Sequence, residues 1–136
     1  MRDQVINEIV ENALLDSSIY LLLGDLGVYQ ARKGVNTIPQ QIFNYGIREQ
    51  SMISFATGIS LAEGYPFVYS INPFINERAI EQIKNGPSYN DTPLCIITAG
   101  GTCDYYKLGK SHYCTNDINN LLAHNVPEIF MPFNED

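Results

Sequence analysis

The sequence predicts an α/β domain built on an open parallel sheet with helices on both faces. Three features carry that prediction. Stretches with apolar residues at helical spacing alternate along the chain with short, nearly continuous apolar runs of strand length. Those runs lack polar–apolar alternation, which is the pattern of strands buried on both faces. Several of them stop at glycine-containing corners such as "GDLG" and "AGG", the mark of loops at strand ends.

Val5, Ile9, Val10, Ala13 and Leu14 recur at helical spacing and predict a helix over residues 3–15. "SIYLLLGDLG" is an apolar run closed by Gly24 and Asp25, a strand buried on both faces with a loop at its carboxyl end. "QIFNYG" is a second, shorter strand. A helix follows from Arg48 to Glu63, with Glu49, Met52, Ile53, Ala56 and Ile59 on one stripe. "YPFVYSI" is the third strand, with Pro66 near its start, where a missing N–H is tolerated. "PFINERAIEQIKNG" reads as one helix capped at its end by Gly86. "TPLCIITAGG" is the fourth strand, "TNDINNLLAHNV" a helix with Thr115 as N-cap, and "PEIFMPF" a fifth strand. The connection from Gly100 to Ser111 is long, polar and aromatic, and long connections in compact domains carry function as a rule.

A chain of 136 residues fits one domain with one core. No apolar run approaches the roughly 20 residues that span a bilayer, so no membrane partner is expected. Eight basic residues against fifteen acidic ones give a net charge of −7 without a Lys/Arg stripe, which excludes nucleic-acid binding through phosphate neutralisation. Three cysteines, an odd number, and a start without signal-peptide pattern point to reduced thiols and a cytoplasmic location. Cys103, His112 and Cys114 do not supply the four ligands of structural zinc, so no metal site is expected in this chain. The phosphate loop, the dinucleotide GxGxxG and the GxSxG elbow are all absent.

In a parallel α/β sheet, ligands bind outside the carboxyl ends of the strands. Four predicted strands deliver conspicuous groups there: Asp25, Glu49, Phe74 and the Gly100–His112 loop. Glu49 poses the sharpest question, because a carboxylate on the buried stripe of a helix is out of place for a solvated group. A first-turn acid also suits the positive end of a helix dipole, so position alone leaves both accounts open.

"MRDQVINEI", "LLLGDLG", "FNYGIREQSMISFATGISLAEGYPFV", "SINPFINERAIEQI" and "LGKSHYCTNDINNLLAHNVPEIFMP", in that order, resemble the pyrimidine-binding domain of transketolases. The likeness is closest to short transketolase-like C-terminal subunits encoded as separate chains, and extends more loosely to 1-deoxyxylulose-5-phosphate synthase. It implies thiamine diphosphate as cofactor. Glu49 then corresponds to the glutamate that hydrogen-bonds N1′ of the aminopyrimidine and favours the tautomer that deprotonates the thiazolium. That task calls for a carboxyl group in a dry site, which answers why it faces inward.

The resemblance also implies roles for other residues. Phe74 matches the aromatic that stacks on the aminopyrimidine, and Tyr69 is either a second ring neighbour or a plain strand residue. Asp25 is either the acid beside the thiazolium or a turn aspartate bonded to its own backbone. His112 matches the loop histidine that contacts substrate oxygens and moves protons. Arg2 matches a sugar-phosphate ligand, Arg78 is a phosphate contact or a surface residue, and His124 is a favourable charge at a helix end.

Departures from the family shape the remaining expectations. "GDL" lacks the second glycine of the metal-diphosphate motif and "INN" comes too late to complete it. The diphosphate and its Mg²⁺ therefore fall to a partner, an N-terminal transketolase subunit or domain, and self-association as a homodimer is also expected. Residues 1–136 read as a single pyrimidine-binding domain shortened at its C-terminus, with the diphosphate domain absent. Leu108 stands where full transketolases carry an aspartate that reads a sugar hydroxyl, which leaves substrate preference open. The implied activity is transfer of a two-carbon ketol unit between sugar phosphates, made only together with the partner. A deoxyxylulose-phosphate-synthase-like or oxo-acid dehydrogenase component, and a non-catalytic assembly module of the same fold, are the alternatives.

Overall fold

The computed structural model describes residues 2–101, 103–126 and 128–132, apart from the Arg2 side chain. Along the chain run α1 (Arg2–Ala13), β1 (Ile19–Leu23), α2 (Arg32–Thr37), β2 (Ile42–Asn44), α3 (Glu49–Leu61) and β3 (Tyr65–Ile71). A π-helical turn (Phe74–Arg78), α4 (Ile80–Ile83), a second π-helical turn (Lys84–Ser88), β4 (Cys95–Ala99), two 3₁₀ turns (Tyr106–Leu108 and Lys110–His112) and α5 (Asp117–Ala123) follow. The strands form one sheet in the order β2-β1-β3-β4, every pair parallel. Leu22 pairs with Phe43 on one side and Val68 on the other, and Val68 pairs in turn with Ile96.

The expected open parallel sheet with helices on both faces is what forms. Alternation along β1 explains it: Leu21 and Leu23 face Ile6, Ile9, Val10 and Ala13 of α1, whereas Leu22 faces Met52, Ile53 and Ala56 of α3. Both sides of the strand are therefore buried, so the run is continuously apolar. Gln41 joins α1 to the sheet. It is 5% exposed, and its Nε2 donates to the carbonyls of Ala13, Asp16 and Ile19 at 3.2, 3.0 and 3.0 Å. The end of α1 thus finds a donor for a carbonyl that has no partner within the helix.

Three expectations are corrected, and one helix is added. The added helix is α2, whose "RKGVNT" is short, polar and carries Gly34 in its middle. That glycine is buried where a Cβ would stand 2.4 Å from Ile42 Cδ1. The expected helix over 73–86 is broken into π turns around a four-residue α4, and Gly86 does not end it. Gly86 instead lets this segment approach α3, since a Cβ there would meet Thr57 Oγ1 at 2.6 Å. At α5 the N-cap is Asn116, whose side chain makes no capping bond, in place of Thr115. No strand forms over residues 128–132 of the expected fifth strand, where Phe130 and Met131 lie exposed, and Pro127 and Phe133 lie outside the described residues.

Candidate functional site

The carboxyl ends of the parallel strands share one edge, and the groups that matter gather there. Glu49 is the first residue of α3 and is fully buried. Burying a carboxylate is costly unless its oxygens are paired. Each oxygen has a donor from a different element: Ser70 Oγ of β3 donates to Oε1 at 3.0 Å, and Arg78 Nη1 of the π-helical turn donates to Oε2 at 2.8 Å. Ser70 is itself fully buried, and a Cβ on Gly24 would stand 2.7 Å from its Oγ. The glycine at the tip of β1 thereby makes room for the hydroxyl that holds Glu49.

The π turn presents Phe74 and Arg78 together. The Arg78 guanidinium lies 4.4 Å from the centroid of the Phe74 ring, within cation–π range, and that ring meets His112 edge-on at 5.2 Å. Ser111 Oγ lies 2.8 Å from His112 Nδ1, a hydrogen bond whose direction follows the imidazole tautomer. Behind the turn, Asn72 Nδ2 donates to Asp117 Oδ2 at 2.7 Å and Asn76 Nδ2 donates to Asn72 Oδ1. These bonds tie the tip of β3 to the start of α5, five residues beyond His112.

At the tips of β1 and β2, Asp25 and Asn44 clasp each other. Asn44 Nδ2 donates to Asp25 Oδ1 at 2.9 Å, while Asn44 Oδ1 accepts from the backbone N–H of Asp25 and of Gly46, each at 3.0 Å. Asp25 holds a left-handed backbone (φ 57°), a conformation aspartate and asparagine tolerate best among residues with a Cβ.

The structure brings Glu49, Phe74, Arg78 and His112 into one contiguous cluster. It does not bring Tyr69 into it. Strand alternation turns that ring to the α1 side, into the core with Ile6 and Val10, where the turn at Gly27 packs against it. Asp25 stands on the same edge, exposed, with its described bonds to Asn44. His124 is the C-terminal cap residue of α5. The sugar-phosphate contact expected of Arg2 rests on a side chain outside the described residues. Sequence reasoning passed over Ser70 and Asn44, although a lone serine in an apolar strand and an asparagine at a strand tip were visible signals. Among the described residues no group of three or more His, Cys, Asp or Glu could hold a metal ion. No helix among them is long and apolar enough to cross a membrane.

The cluster forms an open wall. Two surface hollows, one lined by Phe43, Phe55 and Ile59 and the other by Thr57, Gln82 and Asn90, include none of its residues. The wall sets a buried carboxylate beside an aromatic face, and the Arg78 guanidinium lies against both.

A family model described as the transketolase pyrimidine-binding domain matches residues 5–136. Over 98 residues the chain is 29% identical to an apulose-4-phosphate transketolase subunit of Actinobacillus succinogenes, covering 72% of this chain and 32% of that protein. Over 128 residues it is 22% identical to a 6-deoxy-6-sulfo-D-fructose transketolase subunit of a Clostridium species, covering 93% of this chain and 39% of that one. A solved structure titled "Split gene transketolase, inactive beta4 tetramer" superposes with a TM-score of 0.70 at 25% identity, over 87% of this chain and 38% of that one. The chain thus spans about a third of the length of the relatives it matches.

Proposed function

Because the chain belongs to the transketolase pyrimidine-binding domain family, we propose that it forms the pyrimidine-binding wall of a thiamine-diphosphate-dependent transketolase-like enzyme. The carrying observation is Glu49: a fully buried carboxylate at the head of α3, facing the strand edge where Phe74 and His112 also stand. Family membership supports the cofactor, which when bound supplies a nucleophilic carbon able to accept and release a two-carbon ketol unit.

The chain's own residues then have distinct tasks. Glu49 holds a proton against the pyrimidine ring nitrogen, and Ser70 fixes the carboxylate that does so. Phe74 gives the ring a flat face to rest on. Asp25, locked by Asn44, flanks the thiazolium side. His112, oriented by Ser111, accepts and returns protons at substrate oxygens. Arg2 and Arg78 offer positive charge to the substrate's anionic end. The names of two relatives support a substrate with such an end, one naming a phosphorylated sugar and the other a sulfonated one.

The diphosphate and Mg²⁺ belong to an N-terminal counterpart, in keeping with relatives named as transketolase subunits, and a second copy of the chain completes a homodimer in a cytoplasmic enzyme. Calorimetry with thiamine diphosphate and Mg²⁺, on the chain alone and with that counterpart, tests the reading alongside a ketol-transfer assay. Binding and turnover in the mixture, with turnover abolished by Glu49→Gln, are expected. Absence of binding in every mixture would leave a fold without the chemistry.

A further inference from the structure

In the proposed cofactor site the aminopyrimidine makes two contacts: a ring nitrogen against the Glu49 carboxyl group and a ring face against Phe74. In this structure one side chain of the chain itself makes both. Arg78 Nη1 donates to Glu49 Oε2 at 2.8 Å, and its guanidinium carbon lies 4.4 Å from the Phe74 centroid. A guanidinium is flat, delocalised and edged with N–H donors, the features that suit it to carboxylates and to aromatic faces. An aminopyrimidine is equally flat, and when its ring nitrogen takes up the proton it shares with Glu49 it turns a comparable N–H edge to that carboxylate. We propose that Arg78 is an internal stand-in for the pyrimidine, holding Glu49 and Phe74 in place before the cofactor arrives and leaving them when it binds. This rests on the proposed cofactor site.

The arrangement follows from the site's physics. A fully buried Glu49 with Ser70 as its sole donor would face low-dielectric surroundings with an uncompensated charge. Arg78 supplies the missing charge while its side chain stays 42% exposed, so it can withdraw into solvent without unfolding anything around it. The π turn carries both residues, Phe74 at its start and Arg78 at its end, with the guanidinium directed to Glu49 of α3. Cofactor affinity is then reduced by the contact that has to be broken.

Nuclear magnetic resonance of arginine side chains tests this in the wild-type chain. Arg78 should carry a ring-current shift from Phe74. Arg32, whose guanidinium carbon lies 4.0 Å from the Tyr29 ring, serves as an internal control that the proposal leaves unmoved. An Arg78→Lys sample assigns the signal. The probes are 4-amino-2-methylpyrimidine on the chain alone, and thiamine diphosphate with Mg²⁺ on the chain with its N-terminal counterpart. The Arg78 signal should lose its ring-current shift as either probe saturates, while Arg32 stays.

Calorimetry in parallel should find the pyrimidine bound about tenfold more tightly by Arg78→Met than by wild type, with Arg78→Lys between them. Binding with Arg78 unmoved, or weaker or unchanged binding by a folded Arg78→Met, would overturn the proposal. Should Arg78→Met fail to fold, the wild-type spectra decide. Binding by no protein in any mixture would instead sink the cofactor site itself, and this proposal with it.

Discussion

Substituting Gly24 by alanine should damage the site from behind. Gly24 is not in the left-handed region, so alanine is compatible with its backbone and the added Cβ alone decides the outcome. That Cβ would stand 2.7 Å from Ser70 Oγ, 2.8 Å from Ser70 Cβ and 3.3 Å from the Tyr69 carbonyl oxygen. Carbon–carbon contact begins near 3.4 Å, leaving the Ser70 Cβ roughly 0.6 Å too close. The strands cannot part to relieve this without stretching the bond from Gly24 N–H to Tyr69 O, now 2.8 Å. Overpacking of this kind costs about 1–3 kcal/mol. If Ser70 swings away from Glu49, a hydrogen bond to a charged group worth about 1.5–3 kcal/mol is lost as well. Together these lower the melting temperature by on the order of 10 °C. The assay is a double-mutant cycle by denaturant unfolding on wild type, Gly24→Ala, Ser70→Gly and the double variant. Ser70→Gly removes both clashing atoms, so the double variant should be at least about 1 kcal/mol more stable than the sum of the single costs predicts. Strict additivity would refute the claim that Gly24 exists to admit Ser70.

Gln41→Ala should lower stability by about 1–3 kcal/mol in the same unfolding assay, because it strips the carbonyls of Ala13, Asp16 and Ile19 of a shared buried donor. Asp16 accepts from the Ser18 hydroxyl and backbone N–H, in that order of weight, and these hold its carboxyl below the ordinary value. A depressed native value stabilises the fold above the unfolded carboxylate range, and that contribution disappears as pH falls through the native value. The stability gap between wild type and Asp16→Asn should therefore close in acid and stay constant near neutrality, as pH-dependent unfolding would show. Of the three thiols, Cys103 and Cys95 are exposed and Cys114 is 1% exposed, and desolvation pushes the Cys95 and Cys114 thiols up. A thiolate-specific reagent at pH 8 should label Cys103 first, Cys95 more slowly and Cys114 only on unfolding.

The sheet and its two helical layers were legible because burial on both faces writes an unmistakable pattern. Leu21, Leu22 and Leu23 can only be explained by cores on opposite sides. Helix α3 was equally plain, and Glu49 on its stripe was a true signal of a buried charge. Pattern fails where another force decides. "PEIFMPF" is apolar enough for a strand, yet a strand needs a neighbour, and residues 128–132 pair with none of the four described strands. The segment after Pro73 keeps apolar residues near helical spacing, but its turns widen to π geometry where it packs against α3 and α5. A mid-helix glycine is a poor helix former, yet Gly34 is the residue that lets α2 close on Ile42 and Val10.

The site itself was half legible, for a reason visible in its chemistry. A sequence shows which groups are unusual where they stand, such as Glu49 on an apolar stripe or His112 in a long loop. It does not show which groups answer them. Ser70 and Arg78, 21 and 29 residues from Glu49, are ordinary in their own segments and acquire meaning only when β3 and the π turn carry them to that carboxylate. The same logic separates Tyr69 from Ser70. One register step along β3 decides which of them reaches Glu49, and the step favours the small polar residue over the large ring. A buried charge thus makes the site depend on the sheet: with β3 out of register Glu49 loses Ser70, and without the π turn it loses Arg78. The carboxylate can be both dry and tolerated only in the assembled fold.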